Sequence, residues 1–552
     1  MAAVGAARLR RLPLILAVVV TTLALALPGS LAAGEVGIHL PGPVPDAVRE
    51  AVDLETATIT DLQDLMEAGT LTSSDLTRLY LERIAAFDED GPSLNSVLAL
   101  NPDALDIARA LDRERRRSGP RGPLHGIPVL LKDNIDTADM PTTAGSVALA
   151  GSTPPDDAFL TAGLREAGAI ILGKTTLTEF ANFMTDGMPN GYSSWGGQGL
   201  NPYDLRDDPS GSSSGSAIAA AAGMAAAAVG TETSGSILSP SRANSVTGLK
   251  PTLGLISRDG IVPIGESQDT AGPMGRSVAD IAALLGAMTG VDPADPRTVE
   301  QAGHAHSDYT QFLDPDALEG ARIGVATNTL GGTTSEQRPL IDAAIDQLEA
   351  LGAEIVETTV STSSGPDLFG VLTYEFKRDL NAYLGARSGA PVRSLAELIA
   401  FNEAHADEAL KFGQTQLEAS QAVDLEAEED EYLADLAAGK AVTQGNLDAA
   451  FDDDDLDAIV FGQNSPAGVT ARAGYPSLIV PVGYDEHGRD PVSITFVGRP
   501  WSEPELIGFA YAYEQAAQAW RPPSEINPSA WRCPAPTAPG ERARPLLGAC
   551  PS

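Results

Sequence analysis

The stretch Pro209–Thr252, PSGSSSGSAIAAAAGMAAAAVGTETSGSILSPSRANSVTGLKPT, is the one around which the chain is organised. It opens on a Gly/Ser cluster, runs through small apolar residues and closes on a second Gly/Ser turn. Glycine lets the backbone approach a ligand closely and adopt positive φ. Serine supplies a nucleophile or relays a proton, and successive backbone N–H groups in such a turn hold an oxyanion. The Ala-rich run between the clusters predicts a tightly packed helix, with the positive end of its dipole beside the first cluster. The pattern suits attack on a small carbonyl group, as in a hydrolase.

Working outward, the chain has 552 residues and is 43% hydrophobic, enough for a packed interior and too much for general disorder. Its formal net charge of −39 argues against nucleic acid and anionic membrane surfaces as partners. Arg8, Arg10 and Arg11 precede the apolar run Leu12–Leu27 and the small residues Ser30, Ala32 and Ala33. That reads as a signal peptide over 1–33, hence a secreted or extracytoplasmic protein with no stable membrane anchor after cleavage. The alternative, an uncleaved anchor, would use a run slightly short of the ~20 residues of a span. A Pro/Gly-rich arm over 34–59 is expected to be extended. The only cysteines, Cys533 and Cys550, lie in a Pro-rich tail over 521–552 that reads as loosely ordered, where an oxidising compartment would let them pair.

Helical spacing predicts a first helix capped by Thr60, with Leu62, Leu65 and Met66 on one face. A second opens at Ser73 or Ser74 and carries Leu76, Leu79, Tyr80, Ile84 and Phe87; a third covers about 102–117. Next comes GPLHGIPVLLKDNID, Gly122–Asp136. The apolar run Val129–Leu131 ending in Lys132 is the pattern of a buried strand that delivers one lysine to a site. Burial would lower the pKa of that lysine and make it a neutral base. The chain has 30 arginines and only six lysines, of which Lys132, Lys174 and Lys250 fall in this half. Arginine cannot give up its proton, so a base position must stay lysine. The competing reading of Lys132 is a surface ion pair with Asp133 or Asp136.

Two further patterns need their structural context. Gly168–Thr175, GAIILGKT, fits the phosphate-loop spacing, but Ala169–Leu172 is the apolar body of a strand rather than an open cradle. Gly211–Gly215, GSSSG, fits a nucleophile elbow with Ser213 as nucleophile, which requires an acid and a histidine such as His405 or His487. The acidic runs Glu426–Glu431 and Asp452–Asp455 lack the turn glycine and spacing of a calcium loop and read as solvated faces.

GIPVLLKDN at Gly126–Asn134, the serine cluster at Gly211–Ser216 and GTETSGSI at Gly230–Ile237 together resemble the three landmarks of the amidase signature family. NSVTGLKPTLGLISRDGIVPI, SQDTAGPMGRSVAD, AGYPSLIVPVG and FVGRPWSEPELIGFAYAYEQA extend the resemblance over roughly Thr60–Ala516. It implies one α/β domain over 60–520, a large mixed central β-sheet covered by helices on both faces. Within it a catalytic core spans about 122–290 and a substrate-pocket segment about 320–457. Apolar strands at Ala169–Leu172, Ala458–Phe461 and Leu478–Val482 would lie inside. Tyr374 and Phe376 are candidates either for the pocket wall or for ordinary core.

The resemblance also implies a Ser-cisSer-Lys group, with Ser236 as nucleophile, Ser212 as bridging serine with a cis peptide, and Lys132 as base. Backbone N–H groups of Thr233, Ser234 and Gly235 would hold the oxyanion. No cofactor or metal is required, and no ligand spacing for a metal is present. The sequence departs from the common pattern at Glu232, where Asp is commoner, at Ser214, where Gly is commoner, and at Leu238, where many members have Arg. The TET-x-GSI form, the N-terminal segment and Glu375–Tyr383, EFKRDLNAY, most resemble bacterial peptide amidases. The implied substrate is a small-molecule or peptide amide, and the implied reaction is loss of ammonia from C-terminally amidated peptides. Alternatives are a general acylamide or aryl amide amidase, an amidotransferase subunit acting on glutaminyl-tRNA (opposed by the charge), a Ser-His-Asp esterase, and a non-catalytic secreted binding protein.

Overall fold

The computed structural model describes residues 44–332, 336–387, 389–485 and 490–531. The signal segment at 1–33, the first part of the arm, His487, and Cys533 with Cys550 lie outside the described residues.

In chain order the strands are β1 Val97–Leu100, β2 Pro128–Lys132, β3 Ile170–Thr175, β4 Tyr192–Ser193, β5 Gly197–Gln198, β6 Ala227–Glu232 and β7 Thr247–Lys250. There follow β8 Thr270–Gly275, β9 Arg322–Ala326, β10 Glu354–Thr358, β11 Ala458–Gly462, β12 Ser477–Tyr484 and β13 Pro491–Val497. Strands β4 and β5 form a small separate ribbon; the other eleven build one sheet in the order β1-β3-β2-β6-β8-β7-β12-β13-β11-β9-β10. Neighbours are parallel in β3-β2-β6 and in β11-β9-β10, and antiparallel elsewhere, so the sheet is mixed as expected.

Every residue of β2, β3, β6, β8, β11 and β13 is buried, which requires cover on both faces. That explains why β2, β11 and the first half of β3 read as continuous apolar runs instead of alternating ones. Helix Ser214–Ala221 packs against β2, β3, β6 and β8, Val278–Met288 against β7 and β8, and Arg338–Ala350 against β10, β12 and β13. Among the described residues no helix is long and apolar enough to cross a membrane.

Several local readings need correction. The first helix is Ile59–Glu67 and its cap is Thr58, not Thr60. Thr58 Oγ1 accepts from Asp61 N at 3.1 Å and Asp61 Oδ2 accepts from Thr58 N at 2.9 Å, a reciprocal box, and Thr60 lies within the first turn. The second helix opens at Ser73 as expected, behind a Thr72 cap, but ends at Ile84, so that Phe87 lies beyond it. The Ala-rich run is not one helix. It divides into helix Ser214–Ala221, a turn at Gly223 with φ +65°, and strand β6. Helix propensity is a weak prior even for alanine, the best helix former, and pairing of β6 between β2 and β8 overrides it. The arm carries a short helix, Asp46–Ala51. The start of the tail is docked rather than loose: Trp531 is fully buried against Phe87, ring centroids 5.2 Å apart, and its Nε1 donates to Pro202 O at 3.1 Å.

Candidate active site

Because β2 and β6 are parallel, with Leu131 opposite Val229, both end on one edge of the sheet. Strand β8 runs back from that edge, with Thr270 opposite Glu232. This topology gathers Lys132, Thr231, Glu232 and Asp269 in one place. Lys132 is fully buried; its Nζ donates to Ser212 Oγ at 2.8 Å, Thr231 Oγ1 at 2.9 Å and Thr231 O at 3.3 Å. Asn134 Nδ2 donates to the same Thr231 hydroxyl at 2.9 Å.

The first serine cluster reaches this edge through the helix Ser214–Ala221. All eight of its residues are buried, and small size is required: a Cβ on Gly215 would lie 2.5 Å from both Ser96 O and Thr176 O. The Gly211–Ser212 peptide is cis, and Ser212 O accepts from Thr178 N at 3.1 Å. Ser213 N donates to Ser236 O at 3.2 Å, which ties the two serine turns together.

The second turn, Thr233–Gly235, leads from β6 into Ser236. Ser234 is exposed and Ser236 is 8% exposed, so the turn opens to solvent while Lys132 and Ser212 stay behind it. Gly235 has φ +96°, a conformation that favours glycine. Glu232 Oε2 accepts from Ile237 N at 2.7 Å and Leu238 N at 3.0 Å, closing the backbone around the serine. A buried amine on one serine hydroxyl, beside an open turn that carries a second serine, is an arrangement suited to acyl transfer.

The amidase family profile matches residues 75–469. A protein of Arabidopsis thaliana named a probable amidase is 41% identical over 488 residues, covering 86% of this chain and 92% of its own. The solved peptide amidase of Stenotrophomonas maltophilia is 47% identical with TM-score 0.81, covering 85% of this chain and 98% of that one. A solved amidase family protein of Bacillus anthracis is 40% identical with TM-score 0.82, covering 87% and 94%. The chain belongs to the amidase signature family. It is a hydrolase of amide C–N bonds.

Electrostatics distinguish the titratable groups of this amidase. Burial pushes the Lys132 amine from 10.5 down to about 7, against the opposing pull of Asp269 and Glu232. Burial also raises Glu232, opposed chiefly by the charge of Lys250, and lifts Asp269 to about 6. The ion pairs weighed for Lys132 are absent. Asp133 lies 3.4 Å from Lys174 Nζ, and Asp136 accepts from Tyr383 Oη at 2.8 Å with Arg387 nearby.

Among the described residues the elbow reading finds no support. Ser213 Oγ donates to Thr231 O at 3.0 Å and accepts from Thr231 N at 3.2 Å, so it extends the edge of β6 like a backbone group. His405 is exposed and stacks on Phe401, its Nδ1 against Phe401 O. The phosphate-loop pattern likewise falls on β3, every residue of which is buried. Tyr374 stacks on Tyr432 at 4.1 Å, and Phe376 packs between Phe180 and Phe183, so both are core. Sequence reasoning missed Thr231, Asn134 and Asp269. Asn134 stands inside the quoted GIPVLLKDN block and Thr231 beside Glu232, but nothing local marks either as a partner of Lys132.

Proposed function

We propose that the protein is an exported amidohydrolase that removes ammonia from C-terminally amidated peptides by a Ser-cisSer-Lys relay. The observation that carries the mechanism is the 2.8 Å contact between the fully buried Lys132 Nζ and Ser212 Oγ. With the amine near pKa 7, a large share of it is neutral at neutral pH. The neutral amine takes the Ser212 proton as Ser212 takes the proton of Ser236, and Ser236 Oγ attacks the amide carbon. Backbone N–H groups of Thr233, Ser234 and Gly235 receive the negative charge on the carbonyl oxygen. The proton then returns through Ser212 to the amide nitrogen, the C–N bond breaks and ammonia leaves. Water, activated by the same pair, hydrolyses the acyl ester of Ser236 and restores the serine.

The peptide substrate rests on the 47% identity to a peptide amidase over nearly all of that chain, and export rests on the basic-apolar-small pattern of residues 1–33. The test is ammonia release from a short C-terminally amidated peptide by wild type, Ser236→Ala and Ser213→Ala. Loss on Ser236→Ala with activity kept in Ser213→Ala is expected. The reverse pattern would overturn the catalytic assignment, and a folded wild type active only on acylamides or aryl amides would overturn the peptide assignment.

A further inference from the structure

The turn expected to hold the oxyanion is itself held from outside the catalytic group, and that support carries an inference that rests on the mechanism above. Thr233 is gripped at two points by consecutive residues at the head of β8. Asp269 Oδ1 accepts from Thr233 Oγ1 at 2.5 Å, and Gln268 Nε2 donates to Thr233 O at 2.9 Å. In a planar trans peptide the C=O and the following N–H point in opposite directions. Fixing Thr233 O toward Gln268 therefore aims the Ser234 N–H away from it. The second carboxylate oxygen, Asp269 Oδ2, accepts from Ile264 N at 2.8 Å and Gly265 N at 3.0 Å, so the same side chain shapes its own loop.

That loop is anchored in turn to the helices of the pocket segment. Glu375, on helix Leu368–Ala386, accepts from Ser267 Oγ at 2.8 Å, and Asp379 on the same helix accepts from Glu266 N at 3.0 Å. Tyr432, on helix Glu429–Asp454, donates to Glu375 Oε1 at 2.8 Å. Gly265 sits so close to this helix that a Cβ there would lie 2.3 Å from Glu375 Oε2.

We propose that Gln268 and Asp269 are positioning residues for the reaction: they form a strut that sets the oxyanion turn through Thr233 and ties it to the pocket helices through Glu375. Neither touches the reacting atoms; both hold Thr233, and the Asp269 carboxylate also acts on the Lys132 amine from a distance. The test compares kcat and KM for an amidated dipeptide across Thr233→Val, Thr233→Ser, Asp269→Ala, Thr233→Val/Asp269→Ala and Ser236→Ala. Small misplacements of catalytic groups cost on the order of 10²-fold, so Thr233→Val and Asp269→Ala should each lower kcat by about 10–100-fold with KM nearly unchanged. Thr233→Ser, which keeps the hydroxyl, should restore kcat to near wild type. Residues in one contact are non-additive, so the double variant should fall little below the worse single variant.

Unchanged kcat in Thr233→Val, failure of Thr233→Ser to rescue, or full additivity would overturn the strut. If Asp269→Ala does not fold, the Thr233→Val and Thr233→Ser pair decides alone. An active Ser236→Ala would overturn the mechanism underneath, whereas an inactive Ser236→Ala beside a fully active Thr233→Val would overturn only the strut.

Discussion

Replacing Lys132 with arginine keeps a cation at the end of β2 but removes the capacity to lose a proton, because a guanidinium stays charged in proteins. The expected effect follows from the burial of the amine. A lysine at its ordinary 10.5 would be neutral in only about one molecule in 3,000 at pH 7, whereas one lowered to about 7 is neutral in roughly half. Burial thus enlarges the reactive population by about three orders of magnitude. The active form is the deprotonated one, so activity is lost on the acid side. For wild type, kcat/KM for ammonia release should rise about tenfold per pH unit below about 7 and level off above it. General-base catalysis contributes about 10²–10⁴-fold, so Lys132→Arg should fall by that order at every pH and its residual activity should lose the acid limb. The assay is coupled ammonia detection on an amidated dipeptide at fixed ionic strength. An arginine variant within tenfold of wild type, or a wild-type profile level from about pH 5.5 to 8.5, would refute the assignment of Lys132 as base.

Stability should report the same amine. Between about pH 7 and 10.5 the unfolded chain holds a proton on Lys132 that the fold does not, so wild-type stability gains with rising pH across that window. Lys132→Met lacks this term; its stability relative to wild type should be greatest near pH 7 and decline by up to about 5 kcal/mol toward pH 10.5 in urea melts, and a constant difference would refute the shift. Gly215→Ala drives a methyl group into two backbone oxygens and should cost about 3 kcal/mol or more in thermal unfolding; a wild-type Tm would show that the helix is less tightly seated than described. At a net charge of −39, raising salt to about 1 M shortens the screening length to ~3 Å and should raise Tm; a flat response would show that self-repulsion is not limiting.

The fold was legible because it depends on local pattern, and so were the numbers of the candidate site residues. Val129–Leu131 and Ala458–Phe461 are continuous apolar runs, and both are inner strands of the sheet. Lys132, Ser212 and the Thr233–Ser236 turn stand in blocks whose resemblance to a family fixed their numbers, and the sheet brings them to one edge. Long-range pairing was not legible. Nothing in the Ala-rich run reports that its second half pairs with β2 and β8, since alanine favours helix and only long-range pairing makes this half a strand. The Thr231 contact with Lys132 spans 99 residues and the Glu375 contact with Ser267 spans 108, distances over which a single sequence carries no signal. Local pattern did not decide the cap at Thr58, because Thr58-x-x-Asp61 and Thr60-x-x-Gln63 both fit a capping box.

The scarcity of lysine acquires a meaning once its neighbours are compared. Lys132, Lys174 and Lys250 are all buried, and burial lowers the pKa of each. Lys174 meets Asp133 at 3.4 Å, and Lys250, lowered to about 8, is opposed by Glu232 and Glu503. Lys132 instead contacts two hydroxyls and a carbonyl, with Asp269 and Glu232 acting only from farther off. A carboxylate in contact would hold the amine charged at neutral pH. A hydroxyl accepts from an ammonium and donates to an amine, so it serves both protonation states. Burial makes the amine neutral, and the choice of Ser212 and Thr231 as partners lets it change state without leaving either partner unsatisfied. The same burial with an acid in place of Thr231 would give a structural lysine like Lys174.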